Sequence, residues 1–254
     1  MTKRIVWIVS TLLLVGLVGC NADTVEEVDP ESGTFTLTIE HVFNDTPLEL
    51  SVDYTTEAGL TVHFTQLRYW VSNVVLTDAE GLSFAVPESY YLFEQTGTGL
   101  RNSVIITGVP PGDYTGVTFS IGVDVDHNHS LDTLVGELDA GVDMSWSWSS
   151  GFIFLKAEGN YWNDVEQTMN VFKAHLGFDD LYKTVDISLE GSIRVDKTHG
   201  GRLVLSAETS MLFDDMDMTV DHSIVGGSED SPAGTMAENY ASCFSVQSTG
   251  SRKN

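Results

Sequence analysis

The chain has 254 residues, 42% of them hydrophobic, and a formal charge of −25 from 37 Asp and Glu against 12 Lys and Arg. That length supports one domain with a sizeable core. The charge makes nucleic acid and anionic lipid headgroups poor partners and favours cations or a basic protein.

The N-terminus sets the compartment. Lys3 and Arg4 precede the apolar run "IVWIVSTLLLVGLVG", which is short for a stable membrane span, and Cys20 follows. Leu17-Val18-Gly19-Cys20 resembles a bacterial lipobox, whose cysteine is acylated and becomes the mature N-terminus. Residues 1–19 are therefore expected to be a lipoprotein signal peptide and Cys20 the lipidation site. Asn21 after the cysteine favours the outer membrane, with the domain on its periplasmic or surface face. Without Lys3 and Arg4 the charge becomes −27, and Cys243 remains as a lone cysteine, so no internal disulfide is expected. Residues 20–33 are acidic and aperiodic and read as a flexible tether.

From Thr34 a period of two begins. Phe35, Leu37, Ile39, His41 and Phe43 share one face of "TFTLTIEHVF", with threonines and Glu40 on the other. "PLELSVDY" repeats the alternation, and "LTVHFTQLRYWVSNVVL", "YYLF", "SVIITGV", "TGVTFSIGV", "KTVDISLEGSIRV" and "RLVLSAETSML" supply further strands separated by turn signals such as "PPGD". In "DMSWSWSSGFIFLKAEG" the same alternation puts Met144, Trp146 and Trp148 on one side. Helical spacing occurs only in "SPAGTMAENYASCF". The expectation is an all-β domain over residues 34–247, an antiparallel β-sandwich or partly closed barrel with a short C-terminal helix, and a disordered tail over 248–254.

The candidate chemistry is concentrated in few places. His41 sits on an apolar strand face, where an imidazole needs a hydrogen-bond partner or a metal. His63 reads as solvent-facing and His199 as part of a hairpin turn. "GVDVDHNHSLDT" holds Asp124, Asp126 and Asn128 at alternate positions, as at the start of a calcium loop, but His129 and Val135 occupy the positions of the expected Gly and Glu. A looser calcium site on these three residues is the alternative to a transition-metal site using the His127-x-His129 pair. Met211, Met216 and Met218 read as core filler. No G-x-S-x-G, P-loop or H-E-x-x-H is present, and nothing points to catalysis.

Several segments together resemble the MbnP family of exported copper-binding proteins: "LRYWVSNVVL", "PPGDYTGVTFSIGVD", Asn128-His129, the M-x-W-x-W-x2-G-aromatic motif from Met144, and "AHLG" at 174–177. The resemblance implies a β-rich domain that binds copper through histidines for acquisition, storage or delivery and is not itself an enzyme. Carried over by position it implies His129 and His175 as ligands and His41 as the histidine of the first strand; His127 joins them as the other half of the H-x-H pair. It further implies a di-haem enzyme of the peroxidase type as partner, which in some members oxidises a tryptophan to kynurenine. No W-x-H occurs in this chain, and Ile39 stands two residues before His41; Trp70, Trp146 and Trp148 are the candidates for such oxidation. A non-catalytic calcium-binding, structural or partner-binding β-sandwich is the rival expectation.

Overall fold

The computed structural model describes residues 29–129, 134–139, 143–146 and 151–253; Cys20, the leader, most of the tether and Trp148 lie outside them. In chain order the strands are β1 (Gly33–Phe43), β2 (Thr46–Pro47), β3 (Tyr54–Thr55), β4 (Thr61–Asp78), β5 (Ser83–Ala85), β6 (Tyr90–Thr96), β7 (Gly99–Arg101), β8 (Ser103–Val109) and β9 (Gly112–Ile121). After the helical turn α1 (Val125–Asn128) come β10 (Ile153–Asn163), β11 (Thr168–Gly177), β12 (Lys183–Val195), β13 (His199–Glu208) and β14 (Ser223–Val225). Helix α2 (Pro232–Ser242) and β15 (Phe244–Lys253) complete the fold.

The strands form two sheets. The smaller runs β15-β13-β1-β2, with β8 also on β1; the larger runs β12-β9-β4-β10-β11-β14, with β3, β5 and β6 also on β4 and β7 on β6. Most pairings are antiparallel, but β1 pairs with β13 and β11 with β14 in parallel, so both sheets are mixed.

Alternation drives the packing. Phe35, Leu37 and Ile39 of β1 are fully buried, and their register partners Gly201, Leu203 and Leu205 of β13 are buried beside them. They meet Phe64, Leu67, Tyr69 and Val71 of β4 in one hydrophobic cluster. Burying such side chains contributes about 1.5–3 kcal/mol each. Strand β4, 18 residues long, serves several partners, and its ladder to β9 shifts register between Ser72 and Val75. Asn73 sits in that bulge with φ 51°, a left-handed conformation that Asn tolerates better than most residues. Helix α2 starts on Ser231, whose hydroxyl accepts the Ala233 N–H, with Pro232 in the first turn. It buries Ala233, Met236, Ala237 and Tyr240. Met218 is buried as well, and Met211 and Met216 pack on the core.

Two expectations about chain organisation change. "PLELSVDY" does not form one strand: only β2 and β3 remain, because Ser51 takes φ 60° and its N–H bonds the Phe64 carbonyl, which turns the chain. Residues 248–253 are not a loose tail. They continue β15 along β13, from Val204↔Ser248 to His199↔Lys253, and look disordered in sequence only because β15 is exposed beyond Phe244. Ser251 ties this strand to β12 as well, accepting the Arg194 N–H at 2.9 Å and donating to the Arg194 carbonyl at 2.9 Å.

Deleting residues 248–254 is therefore expected to lower stability by at least about 1 kcal/mol, since several ladder bonds and the Ser251 bridge are lost together. Urea unfolding checks this; an unchanged midpoint would restore the tail.

Candidate metal site

His41 lies on the β1 face that looks into the core and is 6% exposed. The Gln95 amide donates to the Leu48 carbonyl (2.7 Å), which turns its oxygen toward His41 Nδ1 at 3.1 Å. Nδ1–H therefore donates to Gln95, and Nε2 accepts from the Tyr69 hydroxyl at 2.8 Å. Both ring nitrogens are engaged. Burial pushes the His41 pKa down to about 4, against the pull of the Gln95 hydrogen bond.

His175 occupies a different place. On β11 it is in register with Lys156 of β10, which is in register with Arg68 of β4. Arg68 and Tyr69 are consecutive in a strand and point to opposite faces. His41 touches Tyr69, so His41 and His175 lie on opposite faces of the larger sheet. His175 Nε2 meets Glu158 Oε1 at 2.6 Å, and Glu158 also accepts from Gln66 at 2.6 Å. Burial lowers the His175 pKa despite that carboxylate. The Glu158 carboxyl is itself held low because the His175 and Gln66 hydrogen bonds outweigh its burial. The pair is thus a neutral imidazole donating from Nε2 to an anion, with the Nδ1 lone pair left over.

His127 and His129 belong to α1 and its C-terminal cap. His127 Nδ1 meets Asp124 Oδ1 at 2.9 Å and the Tyr90 hydroxyl at 2.7 Å. Asp124 caps the turn by accepting the Asp126 N–H, and it also accepts from the Tyr90 hydroxyl and from Asn73 at 3.0 Å. Burial raises the Asp124 pKa, but these hydrogen bonds more than reverse it and hold the carboxyl well below its usual range. His129 Nε2 meets Asp179 Oδ2 at 2.8 Å.

The four imidazoles consequently do not converge on one point, and no group of three or more His, Cys, Asp or Glu able to hold a metal occurs among the described residues. A site made of His41, His127, His129 and His175 together does not fit this fold. What the structure does supply is a carboxylate behind three of them: Asp124 for His127, Asp179 for His129 and Glu158 for His175. A carboxylate on one ring nitrogen orients a metal-ligating imidazole through the other. Sequence reading overlooked Glu158 and Asp179, since abundant acids hide particular ones.

The calcium alternative does not assemble either. Asp124, Asp126 and Asn128 fall in a helical turn, where alternate residues diverge. Asn128 is 2% exposed and turned inward, its Oδ1 accepting the Phe152 N–H at 2.8 Å and its Nδ2 donating to Asp179 at 3.0 Å. Among the other histidines, His63 is bound by Asp53 and Asn160 and its side chain is 20% exposed, less open than its alternation implied. His199 closes the 196–199 turn as expected.

The quoted motif segments turn out to brace one another. Gly151 has φ 119°, and a Cβ there would lie 3.0 Å from Asn128 Oδ1. Gly177, the last residue of "AHLG", leaves room for the Trp146 indole, whose ring a Cβ would meet at 2.7 Å. Trp146 then stacks on Phe178 at 5.6 Å, and Phe152 packs edge-on against Trp70 at 5.8 Å. Met144 and Trp146 are buried together, as the alternation predicted; Trp70 is fully enclosed. The Trp70 Nε1–H has no partner among the described residues.

Two outcomes follow from these contacts. A buried base with a lowered pKa makes the unfolded chain bind more protons below its ordinary pKa, so stability falls as pH drops from 6.5 toward about 4. At about 1.4 kcal/mol per unit this is roughly 3 kcal/mol, and His41→Gln should flatten that part of the pH–stability curve in urea titrations. Parallel curves for the two proteins would exclude a buried neutral His41. Gly177→Ala should destabilise by about 1–3 kcal/mol through overpacking against Trp146 and the Phe152 carbonyl; an unaltered thermal midpoint would contradict the packing.

Comparison with known proteins agrees with this architecture. MbnP from Methylosinus trichosporium has a similar fold, with a TM-score of 0.54 and 16% sequence identity over 85% of this chain and 98% of that one. No curated protein matches the sequence. The MbnP family matches residues 32–231, which span β1 to the start of α2 and include all of the motif segments. The chain belongs to the MbnP family.

Proposed function

We propose that this protein is a non-catalytic copper-binding lipoprotein of the bacterial envelope, tethered to the outer membrane through Cys20, that acquires, stores or delivers the metal. Family membership supports copper as the ion. The observation that carries the reading is the set of three carboxylate-backed imidazoles. His127 Nε2, His129 Nδ1 and His175 Nδ1 have no hydrogen-bond partner among the described residues, while the opposite nitrogen of each is held by an acid. Neutral imidazole suits copper. Copper would be held by one or two of these imidazoles at a time, with His41 as a core residue and not a ligand. A di-haem peroxidase-type enzyme would be the protein partner, its substrate a tryptophan of this chain.

Copper titration of the full-length protein tests this. The triple variant His127→Gln/His129→Gln/His175→Gln should remove binding, Asp124→Asn and Glu158→Gln should each weaken the site they back about 10–100-fold, and His41→Gln should leave binding unchanged. Affinity should fall in acid, because an imidazole must be deprotonated to bind copper. Wild-type protein that takes up no copper, or a triple variant that binds like wild type, would overturn the reading.

A further inference from the structure

We propose that the outer face of the smaller sheet, at the end where the chain enters the domain, docks on the phosphates of anionic membrane lipids. The inference rests on the lipid anchor at Cys20 proposed above, and it reverses for one face what the net charge implied for the whole.

The chain enters at a fixed place. Gly33 leads into β1 hard against the β12–β13 turn, where a Cβ would stand 2.5 Å from the Asp196 carbonyl oxygen. Glu31 is paired with Lys197 of that turn at 2.7 Å. About a dozen residues separate Cys20 from this point, a span of at most roughly 40 Å. The end of the molecule carrying the turn therefore stays near the bilayer.

That end also gathers the cations. Of the ten Lys and Arg that follow the leader, five lie here: Arg194, Lys197, Arg202, Arg252 and Lys253. Asp113 and Asp196 answer Arg194, and Glu31 answers Lys197. Arg202, Arg252 and Lys253 are exposed and have no acidic partner among the described residues. Arg202 pairs with Gly250 and Arg252 with Gly200, so the two guanidinium groups share one sheet face, each across from a glycine. Neighbouring like charges on a sheet are unfavourable unless an anion meets them.

The positions of this face beside the arginines carry no acid. Thr36 is in register with both Arg202 and Ile105, and Thr34 with Thr107, so hydroxyls and one exposed Ile105 (65%) surround the arginines. The first acid along β1 is Glu40. Guanidinium and hydroxyl groups are the donors that bind phosphate oxygens. Acids outside this face would be repelled by the same membrane.

Docking in this way has a consequence for the histidines. Strand β9 pairs with β12 from Gly112↔Val195 to Ile121↔Lys183, so α1 and His127 follow the end of β9 that lies away from the β12–β13 turn. Ten strand residues separate the two ends, about 33 Å. The His127–His129 turn would face away from the bilayer.

The test uses full-length protein from its own host, labelled with a fluorophore at Ile105→Cys and mixed with vesicles of phosphatidylcholine alone or with added phosphatidylglycerol. Flotation with neutral vesicles reads the anchor. Shielding of the label from an aqueous quencher reads docking. The expected result is flotation with both vesicles, with shielding only on the anionic ones. Arg202→Ser/Arg252→Ser should shift the ratio of shielded to exposed label on the order of tenfold toward exposed. A label quenched equally on both vesicles, or shielding indifferent to the two substitutions, would overturn the docking face while leaving the anchor intact. If the protein fails to float with neutral vesicles, the anchor reading falls. In that case flotation with anionic vesicles that the double variant loses upholds the face, and no flotation refutes it.

Discussion

The side-chain amide of Asn128 is the contact on which the arrangement of the loops depends. It is buried, and a buried amide must find partners for both its oxygen and its nitrogen. It finds the Phe152 N–H and the Asp179 carboxylate, which lie 24 and 51 residues further along the chain. Three segments are thereby pinned at one junction. Around it Gly151 and Gly177 remove the atoms that would keep backbone and indole apart, and Trp146 fills the space. Trp146 thus acts as a packing element, and Gly151 and Gly177 matter to it as much as the indole itself.

The same junction positions the acids behind the imidazoles. Asp179 takes Asn128 with one oxygen and His129 with the other. Asp124, held by the Asn73 bulge of β4 and by Tyr90, orients His127. A strand bulge, a helical cap and a buried amide therefore set where these histidines point. His41 is governed by a separate constraint: it completes a hydrogen-bond chain from Leu48 through Gln95 to Tyr69 inside the core. Burial keeps the ring neutral and the chain keeps its nitrogens occupied, a structural duty that metal binding would disrupt.

Charge is distributed with equal consequence. A strongly acidic chain has one end where Arg202 and Arg252 are exposed with no acidic partner among the described residues, and the chain enters the domain at that end. Net charge describes the far field of a molecule; at distances below about 10 Å the local arrangement decides what can approach. An acidic protein and a phosphate-facing surface are compatible for that reason.

Much of the fold was legible in the residues themselves, because burial is written into alternation. The faces of β1, the spans of β12 and α2, the burial of Met144 with Trp146 and the MbnP resemblance all follow from local pattern. Local pattern failed where pairing is remote: the parallel partnership of β1 with β13, the capture of residues 248–253 as strand, and the breaking of "PLELSVDY" at Ser51 each depend on backbone groups far away in sequence. The candidate site divides the same way. Residue type alone singled out the histidines, since few side chains can serve as ligands. Only tertiary structure could assign His127, His129 and His175 their carboxylates and place His41 and His175 on opposite faces of a sheet, because sidedness between strands is fixed by register and not by spacing along the chain.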